Sequence, residues 1–357
     1  MSWNVHIPRL RTEVVEAPEA IFRSERTAIH SGRLGDVIYS LPTCRALGIN
    51  HLILNAYTDC ENPRRTLTFR AAQEMIPLLL HQPYMSKVSV SECDLPLERA
   101  WSIEGIHYNL DRAHLVDRRF VAPVLQKLPH RLRWFSEESP VHLAQIYAAS
   151  QGLHINPEEA WLQAPANDSV KDTIVVSLTP RWRSYPKHYW KTLLSGLGPI
   201  LFVGHPQEAE LDLPGAQWVE TKNHLELASL VRGARLFLGT VSFPYALAEA
   251  MKVPRAVEPC YRQLDAFPIG RDGYVLPANP LLARHLVSKL LALKFNSNFS
   301  LQTRRFYYRL PLQARTLGFC TTLYAPRLCQ LLWQRLRASM GSLFRRLTRR
   351  NASSHAV

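Results

Sequence analysis

The sequence lacks the short motifs by which several enzyme classes are recognised. Its 357 residues contain no nucleophile elbow, no Walker loop and no cluster of metal ligands, and Gly32 and Gly35 do not fit the GxGxxG pattern of dinucleotide-binding proteins. The six cysteines form no CxxC pair and have no regular spacing, which disfavours a zinc site or a disulfide framework and favours a reducing cytoplasm. We therefore expect neither a metal ion nor a cofactor.

Long apolar runs are also missing. No run reaches the roughly 18 residues that a membrane-spanning helix needs, and the N-terminal segment has early acids and no apolar core of a secretory signal. Hydrophobic residues make up 46% of the chain, as in ordinary globular proteins, and the length suits two domains of usual size. The expected protein therefore has two domains and no transmembrane segment.

Acidic residues are absent after Asp272. Residues 273–357 hold 14 Lys and Arg and no Asp or Glu, whereas the first 272 residues carry equal numbers of basic and acidic side chains. The net charge of +14 therefore belongs to the C-terminal part of the chain and says nothing about the partners of the rest.

Strand and helix patterns alternate in two series on either side of a linker at residues 152–172. Apolar runs predict strands at 27–31, 51–57, 87–90, 173–178, 200–204, 217–220, 236–238 and 253–257. Helical spacing predicts helices at 37–47, where Pro42 marks a kink or a late start, and at 67–80, 140–153, 189–197, 207–211, 225–231 and 245–251. Residues 101–133 show no clean period.

This alternation predicts an α/β fold with parallel sheets covered on both faces. Two such series indicate two Rossmann-like domains, residues 1–155 and 170–295, that face each other across a cleft. In open α/β sheets the ligand lies at the carboxyl ends of the strands. The loops after Ser31, Leu178, Val203 and Leu238 all lie there.

The first of these loops is Gly32-Arg33-Leu34-Gly35-Asp36. Its glycines allow close approach to the backbone, and a carboxylate at Asp36 is placed to act as a general base toward a hydroxyl. The alternative is that Asp36 caps the helix that follows it. The residues alone leave both roles open.

The second loop, TPRWRSYPKHYW, carries Arg181, Arg183 and Lys187 just past a strand. Three cations at a strand end suit a diphosphate, because guanidinium groups bind its oxygens in pairs and an ammonium acts as a point charge. The alternative is a solvated basic loop. The third loop, which begins at Gly204, gives only a weak signal for a ligand.

The fourth loop follows the strand LFL. Gly239 and Thr240 break that strand, and Ser242, Phe243 and Pro244 open a helix with Ser242 as the expected N-cap. Such a turn offers free backbone N–H groups to an anion, although an ordinary βαβ connection has the same pattern. Glu249 lies inside this helix, where it is either a ribose ligand or part of a solvated face, and the spacing slightly favours the solvated face.

Taken in order, four segments resemble the heptosyltransferase-like proteins of glycosyltransferase family 9. They are SGRLGDVIYSLPTCRAL, VVSLTPRWRSYPKHYWKTLL, ILFVGHPQEAE and LELASLVRGARLFLGTVSFPYALAEAMKVPRAVE. The resemblance spans residues 27–290, weakly between 60 and 140, and implies a GT-B fold. It implies that Asp36 activates an acceptor hydroxyl, with Gly32, Arg33 and Gly35 on the acceptor side. Lys187 then matches the phosphate-binding lysine, and Gly239, Ser242 and Pro244 match the turn that holds the donor nucleotide.

The turn departs from the family pattern, which reads Gly-Asn-Asp-Ser-Gly-Pro followed by a His. Here Thr240, Val241 and Phe243 replace the Asn, the Asp and the second Gly, and Ala246 stands where the His falls. This segment is more similar to that of a divergent branch of family-9-like proteins. The identity of the donor sugar is therefore not carried over.

The resemblance implies inverting, metal-independent transfer of a sugar from a nucleotide-diphosphate donor to a hydroxyl of a cell-envelope glycan or a lipid-linked acceptor. Two other classes stay open. One is an inactive GT-B protein that binds nucleotide sugars or serves as a scaffold, which the missing Asp and His favour. The other is a GT-B sugar epimerase, because a fold does not fix a reaction.

A basic tail, residues 296–357, lies beyond the resemblance. Leu328, Leu331, Leu332 and Arg335 recur at helical spacing, and residues 300–350 combine Arg with Leu, Phe and Trp. This pattern fits a helix on an anionic membrane surface at the inner face of the cell membrane. It fits equally a helix packed on the domain with a disordered basic end. Nucleic-acid binding is disfavoured, since no RNA or DNA module is recognisable.

Overall fold

The computed structural model describes residues 3–5, 12–16, 24–56, 67–92, 100–116, 141–204, 211, 213–260, 263 and 265–292. All of them belong to the larger of two units of the chain, Met1–Leu310. The predicted tail at 296–357 lies outside the described residues, and so does the helix predicted at 207–211 apart from Leu211. Within the described ranges, no helix is both long enough and apolar enough to cross a membrane.

The N-terminal part folds around a five-stranded sheet. Its strands and the two outside it are β1 (Trp3–Val5), β2 (Thr12–Glu16), β3 (Thr27–His30), β4 (His51–Ala56), β5 (Lys87–Glu92), β6 (Ala100–Ile103) and β7 (Tyr108–Asn109). The sheet order is β2-β5-β4-β3-β7, with only β2 antiparallel to its neighbour, and β1 pairs with β6 separately. The helices are α1 (Leu34–Leu47), α2 (Phe69–Leu80) and α3 (Leu143–Ser150).

The C-terminal part folds around a six-stranded, fully parallel sheet. Its strands are β8 (Ile174–Ser177), β9 (Ile200–Phe202), β10 (Ala216–Trp218), β11 (Leu236–Gly239), β12 (Arg255–Val257) and β13 (Gly273–Val275). The helices are α4 (Lys187–Leu194), α5 (His224–Gly233), α6 (Phe243–Ala250) and α7 (Pro280–Ala292). The sheet order β10-β9-β8-β11-β12-β13 is the doubly wound order 3-2-1-4-5-6, which reverses between β8 and β11.

The two sheets, one fully parallel and the other parallel apart from β2, confirm the predicted α/β class. All residues of β3, β4, β8 and β11 are buried, as expected when helices cover both faces of a sheet. Helices from the two sheets pack on each other, α1 against α6 and α2 against α5. The predicted boundaries at 155 and 170 and the predicted cleft stay predictions.

The prediction from the sequence placed the start of α1 too late in the chain. The helix begins at Leu34 rather than Val37, and Pro42 lies inside it. A proline has no N–H, so the carbonyl of Ile38, four residues earlier, loses its usual partner. The indole N–H of Trp161 donates to that carbonyl at 3.1 Å, which explains why the helix continues through Pro42.

A buried ion cluster fixes the end of α6. The side chains of Glu249, Lys252 and Arg255 are all 0% exposed; Glu249 Oε1 lies 2.6 Å from Lys252 Nζ and Oε2 lies 2.6 Å from Arg255 Nε. The solvated face favoured for Glu249 is therefore wrong, since the spacing of one helix does not show the cations that follow it. Burial acts to raise the pKa of Glu249, but the charges of Arg255 and Lys252 outweigh it and lower the pKa to about 2.

Replacing Glu249→Ala leaves two buried cations without their carboxylate. We expect the free energy of unfolding, measured by urea denaturation, to fall by about 3–5 kcal/mol. The matched control is Glu159→Ala, which breaks the exposed ion pair with Arg45 at 2.9 Å and costs less than about 1 kcal/mol. Similar losses for both variants would contradict the assignment. Because the pKa of Glu249 is lowered, its contribution is present above pH 4.5 and is lost as the pH falls toward 2.

Candidate functional site

The loops after β3 and β7 meet at the point where the N-terminal sheet reverses its order. Asp111, buried after β7, accepts hydrogen bonds from the N–H and the hydroxyl of Ser31, each at 2.7 Å. The N–H of Gly32 donates to His30 Nδ1 at 2.7 Å, and burial lowers the pKa of His30 to about 3, so the ring is neutral and accepts. The predicted glycine loop is therefore held by Asp111 and His30, neither of which the sequence had singled out.

Asp36 fills the capping role, one of the two roles that the sequence left open. It is the third residue of α1, and its Oδ2 accepts the N–H of Arg33 at 3.0 Å, so it caps the helix. The side chain is half-buried, and burial raises its pKa, although the charges of His114 and Arg33 act in the opposite direction. A raised pKa brings a carboxylate closer to the range in which it works as a general base.

The two glycines of this loop have different reasons to be glycine. A Cβ on Gly32 would collide with the ring of His30 and lie 2.8 Å from the Cβ of Asp36. A Cβ on Gly35 would meet only the Cβ of Ala246, at an ordinary 3.8 Å. Gly35 therefore marks where the first turn of α1 contacts α6, which brings Asp36 and the predicted donor turn into the same region.

The turn after β11 is built into the sheet. Thr240 is buried, donates its N–H to the carbonyl of Ser177 at 3.0 Å and accepts the N–H of Thr179 at its hydroxyl at 3.0 Å. A Cβ on Gly239 would lie 2.5 Å from the carbonyl oxygen of Ser177, so only glycine fits there. Gly239 and Thr240 therefore join the carboxyl ends of β8 and β11, and both residues are buried.

The N-terminus of α6 lacks the cap predicted for it. Ser242 occupies the N-cap position, but its side chain makes no capping hydrogen bond and instead lies 3.4 Å from the hydroxyl of Ser177. Pro244 is buried in the first turn and has no N–H to offer, and the ring of Phe243 packs edge-on against His224 of α5 at 4.6 Å between centroids. The N–H groups of this turn have no partner inside the helix.

The three predicted cations, found from the end of β8 to the start of α4, differ in their exposure and contacts. Arg181 is exposed and stacks over the ring of Trp182 at 4.8 Å, and Arg183 is half-buried. Lys187 is the exposed first residue of α4. A cation at a helix N-terminus adds to the positive charge at that end of the helix dipole.

Glu258 is a buried acid that the sequence analysis overlooked. It follows β12, and its carboxylate accepts the N–H groups of Ser184 and Tyr185 and, at 3.0 Å, the indole N–H of Trp190. The available signal was the single acid directly after the apolar strand residues Ala256 and Val257.

Two predicted residues lie apart from this group. Gly204 follows β9, on the far side of β8 from β11; its φ of 109° requires glycine, and its carbonyl accepts the indole N–H of Trp218 at 3.2 Å. Glu249 has both oxygens bound to cations of the ion cluster, which leaves it no surface to offer a ribose. In the described part of the chain, no three His, Cys, Asp or Glu side chains are placed to hold a metal ion.

Comparison with known proteins finds likeness at the level of structure. No protein-family model matches the sequence, and no curated protein is similar enough to count as a match. Among solved structures, the chain is similar to the E. coli heptosyltransferase WaaC with ADP, at 12% identity and a TM-score of 0.43, over 75% of this chain and 100% of that chain.

Two further structures give the same picture. The likeness to the E. coli ADP-heptose lps heptosyltransferase II has 12% identity and a TM-score of 0.45, over 75% of this chain and 99% of that chain. A glycosyltransferase family 9 protein from Veillonella parvula gives 12% identity and a TM-score of 0.45, over 76% and 99%. All three are heptosyltransferase or glycosyltransferase family 9 structures, the family that the sequence segments resemble.

Alanine substitution at the two structurally different glycines tests this geometry. Gly239→Ala puts a methyl group against a backbone carbonyl in the sheet, so we expect a loss of about 1–3 kcal/mol in the free energy of unfolding. Gly35→Ala meets only ordinary contact and gains helix propensity, so stability should be unchanged or raised by up to about 1 kcal/mol. Thermal and urea unfolding measure both, and equal effects would contradict the described packing of β11 against β8.

Proposed function

We propose that this protein transfers a sugar from a nucleotide-diphosphate donor to an acceptor hydroxyl, with its two sheets as the facing domains of a GT-B enzyme. The observation that carries the proposal is the distribution of helix caps. At the N-terminus of each other described helix, a side chain accepts a backbone N–H; these side chains are Asp36, Thr68, His142, Asn223 and Asn279 in turn. Within the described residues, α4 and α6 have none.

These two uncapped helices follow β8 and β11, the strands between which the sheet order reverses. Ligands of open α/β sheets bind at this reversal. Neither helix has an acid in its first turn, so the positive end of each dipole is not neutralised by its own residues. Helix N-termini without a side-chain cap or an acid, at the sheet edge where ligands bind, support binding of a diphosphate there.

The loop between β8 and α4 lies where it can serve this site. It begins at β8 and is bonded to Glu258 at the end of β12, and β11 lies between those two strands. The loop therefore crosses the carboxyl end of β11, in front of the turn that starts α6. This path supports placing Arg183 and Lys187 near a diphosphate on α6.

Transfer requires an acceptor hydroxyl and a base on the other side of the donor. The contact between Gly35 and Ala246 supports placing Asp36 there, because it puts the first turn of α1 next to the first turns of α6. Asp36 would take the proton of the attacking hydroxyl as charge develops on the leaving diphosphate. Cations and helix N-termini stabilise that charge most strongly in the transition state, so no metal is required, and a single displacement inverts the anomeric centre.

Donor binding is tested by calorimetry of the full chain with ADP, UDP and GDP sugars. We expect Arg183→Ala and Lys187→Ala each to raise the Kd of the bound donor about tenfold, since a charged hydrogen bond contributes about 1.5–3 kcal/mol. Lys171→Ala is the control, because Lys171 is an exposed cation just before the amino end of β8. Equal affinities for all three variants would contradict the proposed donor site.

Asp36→Asn tests the base separately from the fold. Asparagine still accepts the N–H of Arg33, so the cap of α1 is kept, but it cannot accept the proton of an acceptor. We expect turnover to fall by about 10²–10⁴ with the donor Kd unchanged. Equal turnover of both proteins would overturn the role of Asp36. Donor binding by the wild type without turnover on any acceptor would instead support the inactive binding protein.

The sequence of residues 300–350 supports a further part of the proposal, attachment to an anionic membrane surface that carries the acceptor. Flotation of the full chain with phosphatidylglycerol vesicles tests it. Replacing Arg345, Arg346, Arg349 and Arg350 by Gln should reduce the affinity for the vesicles about 10²–10³-fold, since each basic residue near such a surface contributes about 1 kcal/mol. Flotation unchanged by these substitutions would remove the membrane from the proposal.

A further inference from the structure

Glu258 is a buried acid whose carboxylate accepts three N–H groups, all from one segment of the chain. Glu258 is 0% exposed, and burying a carboxylate costs free energy unless hydrogen bonds satisfy it. The three N–H groups that do so belong to Ser184, Tyr185 and Trp190, in the loop after β8 and in α4. The carboxylate thus joins the end of β12 to the segment that carries the predicted donor-binding cations.

We propose that Glu258 is a positioning residue for the donor, which holds the basic loop across the N-terminus of α6. The inference rests on the proposed donor site and adds to it the group that orders its cations. Glu258 itself faces backbone and indole N–H groups, so it acts on the donor through Arg183 and Lys187.

The position is chemically unusual. A carboxylate beside a diphosphate site repels the ligand, and Arg183 is close enough that its charge acts to lower the pKa of Glu258. A neutral side chain would avoid this repulsion, but only an ionised carboxylate offers acceptors alone to three N–H donors. The hydrogen bonds that Glu258 accepts from the loop therefore explain why an acid occupies this position, although its charge is unfavourable beside a diphosphate.

Protonation of Glu258 is expected to loosen the loop. Burial raises the pKa of Glu258 to about 7, although the hydrogen bonds from Tyr185, Ser184 and Trp190 act to lower it. The other titratable or charged groups that face it are Arg183 and the phenols of Tyr185 and Tyr189, and none of these changes charge between pH 6 and 8. Below pH 7 the acid carries a proton that competes with an N–H donor.

Two other contacts keep the segment folded when Glu258 is changed. The hydroxyl of Tyr185 donates to the carbonyl of Leu276 at 3.2 Å, and that of Tyr189 donates to the carbonyl of Pro277 at 2.7 Å. Tyr189→Phe is therefore a matched control, since it removes one anchor of the same segment and leaves the carboxylate in place. Asp172→Asn, an exposed acid before β8, controls for loss of charge.

The test measures Kd for ADP-glucose, UDP-glucose and GDP-mannose by calorimetry of the full chain at pH 6 and pH 8, together with amide exchange of residues 179–187. Glu258→Gln should raise Kd about tenfold at pH 8, the equivalent of one lost charged hydrogen bond, and should speed exchange in this segment. Wild-type affinity should fall between pH 8 and pH 6, whereas the affinity of Glu258→Gln should not. Both controls should bind like the wild type.

The outcomes separate the two proposals. If the wild type binds a nucleotide sugar and Glu258→Gln binds it equally well with the same pH profile, the role of Glu258 is refuted and the donor site stands. A lower melting temperature with unchanged Kd would likewise show a purely structural residue. If the wild type binds none of the three probes, the donor site fails, and the positioning role fails with it.

Discussion

The carboxylate of Glu249 is the centre of a buried charge network that reaches helices of both sheets. Its oxygens hold Lys252 and Arg255, and these cations in turn donate to the carbonyl of Ile269 at 3.0 and 2.8 Å. The ammonium of Lys252 also lies 4.1 Å from the ring centre of Trp161, whose indole N–H completes α1 at Pro42. One buried anion therefore fixes the end of α6, the loop before β13 and, through an indole, the middle of α1.

This arrangement also explains two strained residues. Lys252 and Asp272 have φ of 53° and 59°, a left-handed conformation that costs a side-chain-bearing residue about 1–2 kcal/mol. At Lys252 that turn directs the ammonium back to Glu249, and the carbonyl of Asp272 accepts the N–H of Arg255 at 2.9 Å. The ion cluster stabilises Lys252 in this conformation, and the backbone hydrogen bond from Arg255 holds Asp272.

Local sequence predicts the fold where burial alone decides it. The runs TAIH, HLILNA, IVVS and LFLG are apolar because parallel strands are covered on both faces, and each is a strand within one or two residues of its prediction. β13 and α7 were missed because three residues make a weak signal and because Leu281 and Leu282 are 66% and 60% exposed, which blurs the apolar face of α7. The continuation of α1 through Pro42 depends on Trp161, more than a hundred residues away, and no local pattern contains it.

The candidate site divides along the same line. The glycine loop and the basic loop could be predicted because their residue types are recognisable from the local sequence alone. The roles of Thr240, Glu249 and Glu258 depend on partners from other elements, namely Thr179, Arg255 and Trp190. A sequence shows that a helix carries an acid, but it does not show whether a cation from the next strand lies over it.

The departures from the family pattern in the turn after β11 have a packing explanation. Val241 and Thr240 are buried, and Ala246 contacts the first turn of α1 through Gly35. A histidine at position 246, where the related pattern has one, would extend toward the backbone of Gly35, so a small residue here and a glycine there belong together. The polar residues missing from this turn are replaced by residues that pack α6 against the sheet and against α1. In the proposed donor site, the groups that bind an anion come from the backbone of α6 and from the neighbouring loop, so recognition depends on Arg183, Lys187 and the acid that holds their loop.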